Sequence, residues 1–208
     1  MPTYDKPRII CCAEDFPNYI GLPRGSADDI VTLLVENKIR YTVSDKRNRG
    51  KPQKFAFQGK LRPEQEKAAI ALLKNDLGVL SASTAFGKTV VAIYLLAKRA
   101  TNTLILVHRV QLLNQWKSRL ENFLGIPPSE IGIIGSGKRK PTGIIDVASI
   151  QSLVKKGVVD DIVGNYGMVI ADECHHLSAF SFESVIRQCK CQYVLGLSAT
   201  LTRKDGHH

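Results

Sequence analysis

The sequence predicts an α/β fold: a mainly parallel sheet covered by helices on both faces, preceded by a small α+β unit. Three observations predict it. From Phe55 onward, short apolar runs alternate with stretches of helical apolar spacing, the pattern of strands joined by crossover helices. The run Leu77 to Leu80 and the apolar helix Val90 to Leu96 are joined by Ser81-Ala82-Ser83-Thr84-Ala85-Phe86-Gly87-Lys88-Thr89, a tight turn ending in Gly-Lys-Thr. Two later apolar runs end in reactive side chains: Gly167 to Ala171 leads into Asp172-Glu173, and Tyr193 to Leu195 leads toward Ser198-Ala199-Thr200. Buried parallel strands read as such runs, and ligands gather at their carboxyl ends.

Residues 1–54 read as the small accessory unit. Arg8 to Cys12 is a short strand, and Asn18 to Gly25 a turn-rich loop. Ser26 is placed to cap a helix from Ala27 to about Asn37, with Asp28 and Asp29 complementing its dipole. Arg40 to Val43 and Gln53 to Phe57 read as strands flanking a basic loop. Residues 55–208 read as the main domain. Pro63 suits the first turn of a helix with an Ala68-Ala69-Leu72-Leu73 face. After the Gly-Lys-Thr helix come a strand at Thr103 to Val107 and a helix from Val110 to Phe123 bearing Leu112, Leu113, Trp116 and Leu120. Strands follow at Ile131 to Ile134 and Ile144 to Val147, then a short helix near Ile150.

A turn between strand and helix aims successive backbone N–H groups and a helix N-terminus at one point, which suits a phosphate. There the amides of Ser83 to Thr89 would cradle phosphates and Lys88 would reach the outer ones. The Thr89 hydroxyl would join a Mg²⁺ shell. The strict P-loop pattern opens with Gly, where Ala82 stands. Asp172, closing a buried strand, would hold Mg²⁺ directly or through water, and Glu173 would orient or deprotonate the attacking water. Adjacent acids also occur on solvated surfaces, so the pair gains meaning from the strand it closes and the turn upstream.

In order, the chain carries Leu61-Arg62-Pro63-Glu64-Gln65, Ala-x4-Gly-Lys-Thr, Leu106-Val107-His108-Arg109, Asp-Glu-Cys-His and Ser-Ala-Thr. This series resembles the first RecA-like motor domain of superfamily-2 helicases of the DEAH/DExH type. It is nearest the branch holding XPB-like helicases, phage recombination helicases and type III restriction motor subunits. The resemblance covers roughly residues 55–204 and implies an ATP hydrolase acting on DNA with ATP and Mg²⁺. It assigns Arg62 and Gln65 to the adenine side, where a carboxamide reads a base edge bidentately. Phe55 or Phe57 could stack on the base or belong to the core. His108-Arg109 and Ser149-Ile150-Gln151 match nucleic-acid-contact motifs, and Ser198 and Thr200 a motif coupling the phosphate state to domain movement. Ala85 stands where the family has glycine, which matters only if that residue needs φ > 0. The resemblance also implies a second motor domain beyond His208, and a segment that alone binds ATP-Mg weakly and turns it over slowly or not at all.

The formal charge is +10. From Lys38 to Arg62 nine basic residues face one acid, Asp45, so this window supplies +8 of the total. Such a run attracts phosphate backbones without reading bases, and Lys46, Arg47 and Arg49 are its DNA-binding candidates. Smaller clusters recur at Lys138-Arg139-Lys140 and Lys155-Lys156. Duplex or branched DNA is the expected partner. The accessory unit reads equally as a DNA-docking module or a structural cap on the motor. A non-motor DNA-binding module with a vestigial P-loop and an RNA helicase stay open as alternatives. Five cysteines, an odd number, point to a reducing cytoplasm, bacterial or nucleoid-associated, and not to a disulfide framework. Neither Cys189-x-Cys191 nor Cys174-His175-His176 has paired zinc-ligand spacing. No apolar run approaches the ~20 residues of a membrane span.

Overall fold

Strands and helices alternate along the larger part of the chain in the computed structural model, which describes residues 13–22, 24–174 and 179–199. Two units divide it, Met1–Asp45 and Lys46–His208. In the first, β1 (Glu14–Phe16) and β2 (Tyr19–Gly21) form an antiparallel hairpin. The Phe16 ring stacks on Tyr19 at 4.4 Å. Helix α1 (Ala27–Glu36) begins after Ser26 as expected, yet the Ser26 side chain makes no cap bond and no residue of the helix is buried. Arg40 to Val43 forms no strand. Its β-branched and aromatic residues favour extended backbone but find no partner edge among the described residues. The strand expected at Arg8 to Cys12 lies outside the described residues.

The second unit follows the predicted alternation closely. It comprises α2 (Pro63–Leu73), β3 (Leu77–Ser81), α3 (Lys88–Arg99), β4 (Thr103–Val107) and α4 (Val110–Leu124). There follow β5 (Ile131–Gly135), β6 (Lys138–Lys140), β7 (Ile145–Ser149), α5 (Ile150–Leu153), and the hairpin β8 (Val154–Lys155) and β9 (Val158–Val159). Last come β10 (Met168–Ala171), α6 (Ala179–Gln188) and β11 (Tyr193–Ser198). Pro63 occupies the first turn of α2, where its missing N–H is not needed. Seven strands make one sheet in the order β3-β11-β10-β4-β7-β5-β6, parallel except for β6.

Side chains alternate between the sheet's faces and build two cores. Ile105, Val107, Met168 and Ile170 pack with Val91, Ile93, Leu96, Trp116 and Leu120 of α3 and α4. Leu104, Leu106 and Val169 pack on the other face with Leu153, Tyr166, Val185, Cys189 and Cys191. Phe57 is core: it stacks on Phe123 at 5.8 Å and meets Tyr94 edge-on at 5.3 Å. Phe55 is partly buried against the same cluster.

The basic segment from Lys46 onward belongs structurally to this sheet. Asn48 accepts from Gln192 N at 2.9 Å and donates to Lys190 O at 2.6 Å. Lys51 N donates to Asn102 Oδ1 at 2.8 Å, and Gln53 N to Ala100 O at 2.8 Å. Those partners immediately precede β4 and β11, so residues 46–53 lace across the amino ends of the strands. The strand expected at Gln53 to Phe57 does not form; an isolated bridge joins the preceding Pro52 to Thr101. No helix among the described residues is long and apolar enough to cross a membrane.

Candidate active site

Strand order brings the chemistry to one edge. Reading across the carboxyl ends, the turn after β3 comes first, then Ser198 on β11, Asp172-Glu173 after β10, His108-Arg109 after β4, and Ser149 with Gln151 after β7. Neighbouring strands lie ~4.8 Å apart. The acids are therefore two strand spacings, ~9.6 Å, from the strand that feeds the phosphate-type turn.

The turn itself has the geometry of an anion cradle. Thr84–Phe86 forms a short 3-10 turn, and Gly87 then adopts the left-handed conformation at φ 82° before α3 begins at Lys88. Only Gly87 needs left-handed backbone here. Ala85 has no positive φ, so the missing glycine at that position carries no conformational penalty. The Lys88 side chain is 7 % exposed, and its Nζ donates to Ala82 O at 2.8 Å and Ser83 O at 3.3 Å. A buried ammonium that meets only neutral carbonyls among the described residues is a fit for a phosphate. The leading amides of α3 add donors and a positive helix end.

Gln65 and Arg62 sit behind this turn. The Gln65 carboxamide is engaged at both ends: Oε1 accepts from Arg62 N at 2.9 Å and Nε2 donates to Phe86 O at 2.7 Å. Arg62 also donates to Phe86 O at 2.5 Å. A Cβ on Gly87 would lie 2.7 Å from Gln65 Nε2. The two residues thus brace the turn directly, and reading a base edge requires Gln65 to exchange those bonds.

Asp172 is 8 % exposed and its Oδ2 accepts from Trp116 Nε1 at 2.7 Å. Burial raises its pKa above the ordinary carboxylate value, partly opposed by the Trp116 bond, with Glu173 raising it further. His108 is close enough to act on Asp172 in the opposite direction. Glu173 follows at φ 49°, left-handed backbone in a residue with a side chain. Such positions cost about 1–3 kcal/mol and cluster at functional sites. The Thr89 hydroxyl accepts from Arg119 at 2.6 Å. A carboxylate and a hydroxyl are hard oxygen donors, the set that fits Mg²⁺ in a phosphate site.

The nucleic-acid candidates divide. Arg109 is exposed at the start of α4, and Gln151, also exposed, donates to His108 O at 3.3 Å. Ser149 is 2 % exposed and its hydroxyl pairs with Ser152 at 2.7 Å, so its side chain does not face solvent. Ser198 is 2 % exposed, and its carbonyl accepts from Ala82 N at 3.1 Å, tying β11 to the turn. Thr200 lies outside the described residues, as do His175 and His176. Lys46, Arg47 and Arg49 are not brought to this row. They lie at the opposite end of the sheet, a five-residue strand or ~16 Å away, where Arg47 pairs with Asp76 at 2.8 Å. Sequence reasoning missed the polar roles of Trp116 and Arg119. The available signal was a tryptophan on a helix's apolar face, whose N–H needs a buried acceptor.

Residues 58–203 match the family model described as the type III restriction enzyme, res subunit. Among curated proteins, the DNA 3'-5' translocase XPB2 of Sulfurisphaera tokodaii is 32 % identical over 148 residues, spanning 71 % of this chain and 32 % of that protein. Protein L396 of Acanthamoeba polyphaga mimivirus, whose assigned name is that of an ATP-dependent RNA helicase, is 32 % identical over 196 residues, spanning 91 % of this chain and 36 % of that protein. The chain thus spans about a third of the length of these curated relatives. Among solved structures, the T4 phage helicase UvsW superposes with a TM-score of 0.67 at 20 % identity, covering 88 % of this chain and 42 % of that one.

Proposed function

The chain belongs to the type III restriction enzyme res-subunit family, as a first RecA-like domain of the superfamily-2 helicases, and from that premise we propose that it is the ATP-binding half of a motor that moves on DNA. ATP use comes with the family. The observation that carries the reading is the row of strand ends, which sets the Lys88 turn, the Asp172-Glu173 pair and His108-Arg109 side by side. Lys88 and the amides from Ser83 to Thr89 bind the phosphates, and Arg62 and Gln65 hold the turn in shape. Thr89 and Asp172 would hold Mg²⁺, which when bound neutralises charge on the phosphate oxygens. Glu173 orients the attacking water and takes up its proton. Arg109 and Gln151 meet the nucleic-acid backbone three to four strands from the turn. The partner proposed for the same edge is a second motor domain, since the relatives run to about three times the matched length.

DNA is proposed because the family's description and the XPB2 relative are those of DNA-acting proteins. L396 supports a second reading, RNA as the track. Two measurements test the proposal. Lys88→Ala is expected to weaken ATP binding at least ~10-fold, and Glu173→Gln in the complete protein to lower DNA-stimulated phosphate release ~10²-fold or more while ATP still binds. Phosphate release that survives both changes contradicts the motor reading. Competition between matched DNA and RNA duplexes decides the track.

A further inference from the structure

Both side chains proposed to hold the metal are themselves held by one helix. Trp116 Nε1 donates to Asp172 Oδ2 at 2.7 Å, and Arg119, three residues on, donates to Thr89 Oγ1 at 2.6 Å. Residues at i and i+3 share a helix face, so α4 presents the two donors side by side toward β10 and the start of α3. We infer that α4 is the arm that sets the metal site, with Trp116 fixing the Asp172 carboxylate and Arg119 competing with the cation for the Thr89 hydroxyl. The inference rests on the nucleotide reading of the site.

The two contacts act with opposite sign. An indole can only donate, so Trp116 leaves the carboxylate charged and fixes its rotation. The ring is 2 % exposed and packed in the core of α3 and α4, so it cannot follow the carboxylate if that turns away. Arg119 is exposed and its guanidinium points at an oxygen that a cation also needs. A guanidinium on that oxygen repels an entering metal ion, so Arg119 withdraws when metal enters. Both are positioning residues, acting through Asp172 and Thr89.

Trp116 is the chain's only tryptophan, so tryptophan emission comes from the indole that makes this contact. In the wild-type chain, Mg²⁺·ADP is expected to change the emission while ADP in EDTA leaves it unaltered. Trp116→Phe keeps an aromatic ring and removes the donor. It should lower Mn²⁺ affinity in the presence of ADP about 10-fold, followed by electron paramagnetic resonance of free Mn²⁺, the loss expected for a partner behind a metal ligand. Arg119→Gln should raise that affinity about two- to fivefold, in line with the strength of an exposed charged contact. Neither should shift ADP affinity measured in EDTA by equilibrium dialysis. Emission indifferent to bound Mg²⁺·ADP, or Mn²⁺ affinities of both variants within twofold of wild type, overturns the inference and leaves the nucleotide reading standing. A wild-type chain that binds neither ADP nor Mn²⁺·ADP overturns both.

Discussion

Charge on Asp172 is expensive. Its burial raises the carboxyl above its usual range although Trp116 donates to it. The folded protein therefore binds this proton more tightly than the unfolded chain does. Stability from this group is full at low pH and is lost as pH rises from the ordinary value of ~3.9 through the raised folded one. Asp172→Asn removes the charge and keeps an acceptor for the indole. At pH 7 the variant is expected to melt ~2–4 °C higher, the shift that about 1 kcal/mol makes in a domain of this size, while losing metal binding. Near pH 3 the difference should vanish. Thermal unfolding at the two pH values measures both, and an unchanged melting point at pH 7 contradicts a penalty from the buried charge. Glu173, left-handed at φ 49°, carries a second local cost beside it. Residues kept at a loss to stability are what a working site looks like. Asp146 shows the contrast. Fully buried at 0 % exposure, it is paid back by Tyr166 OH at 2.5 Å and by the amides of Thr142 and Gly143 at 2.7 and 2.8 Å. Tyr166→Phe should lower stability by about 1–3 kcal/mol, measured by urea unfolding, because it withdraws a donor from a buried acceptor.

Elements with strong local signals were legible in the sequence, and those defined by long-range pairing were not. β4 was bounded at Thr103 and Val107 by its apolar run and α2 by Pro63, while α3 begins at Lys88, two residues before the apolar run at Val90 that announced it. β6 was hidden because Lys138-Arg139-Lys140 carries no apolar alternation. It is a sheet edge, where charges guard against pairing with other chains. Where segment 46–53 would sit was hidden for a related reason. Its charges suggested DNA, but its backbone is committed to Ala100, Asn102, Lys190 and Gln192, and side-chain charge says nothing of backbone partners. Asn48, Gly50 and Pro52 were the overlooked punctuation. Gly50 has φ 74°, and a Cβ there would lie 2.3 Å from Asn102 Oδ1 and 2.5 Å from Gly167 N. Gly50→Ala should therefore unseat the strap, at a cost of about 2–3 kcal/mol and a melting point lower by ~4–12 °C. ADP affinity at 20 °C should hold, because the strap lies at the end of the sheet away from Lys88. A loss of stability below 0.5 kcal/mol, roughly the noise of surface substitutions, shows the strap to be dispensable.

At the scale of the whole molecule, the candidate DNA contacts fall into patches at opposite ends of the sheet. Arg109 stands at the carboxyl edge with the nucleotide turn, while Lys46, Arg47 and Arg49 stand at the amino edge. A straight duplex lying on one edge cannot touch the other, because the edges are ~16 Å apart and point away from each other. On the proposed motor reading, motion driven by ATP would be felt at the edge that holds Lys88, Asp172 and Glu173, and the track proposed with it runs past Arg109. Salt dependence separates the patches, since each phosphate neutralised contributes about 0.9 to the slope of log affinity against log salt on duplex DNA. Arg109→Ala is expected to lower that slope by about 0.9 and to weaken DNA binding on every sequence alike. The double change Lys46→Ala, Arg49→Ala should leave both slope and ATP-dependent changes in DNA affinity as they are in the wild-type chain. If instead the double change flattens the slope and Arg109→Ala does not, the track runs along the strap. The row of strand ends would then serve nucleotide alone.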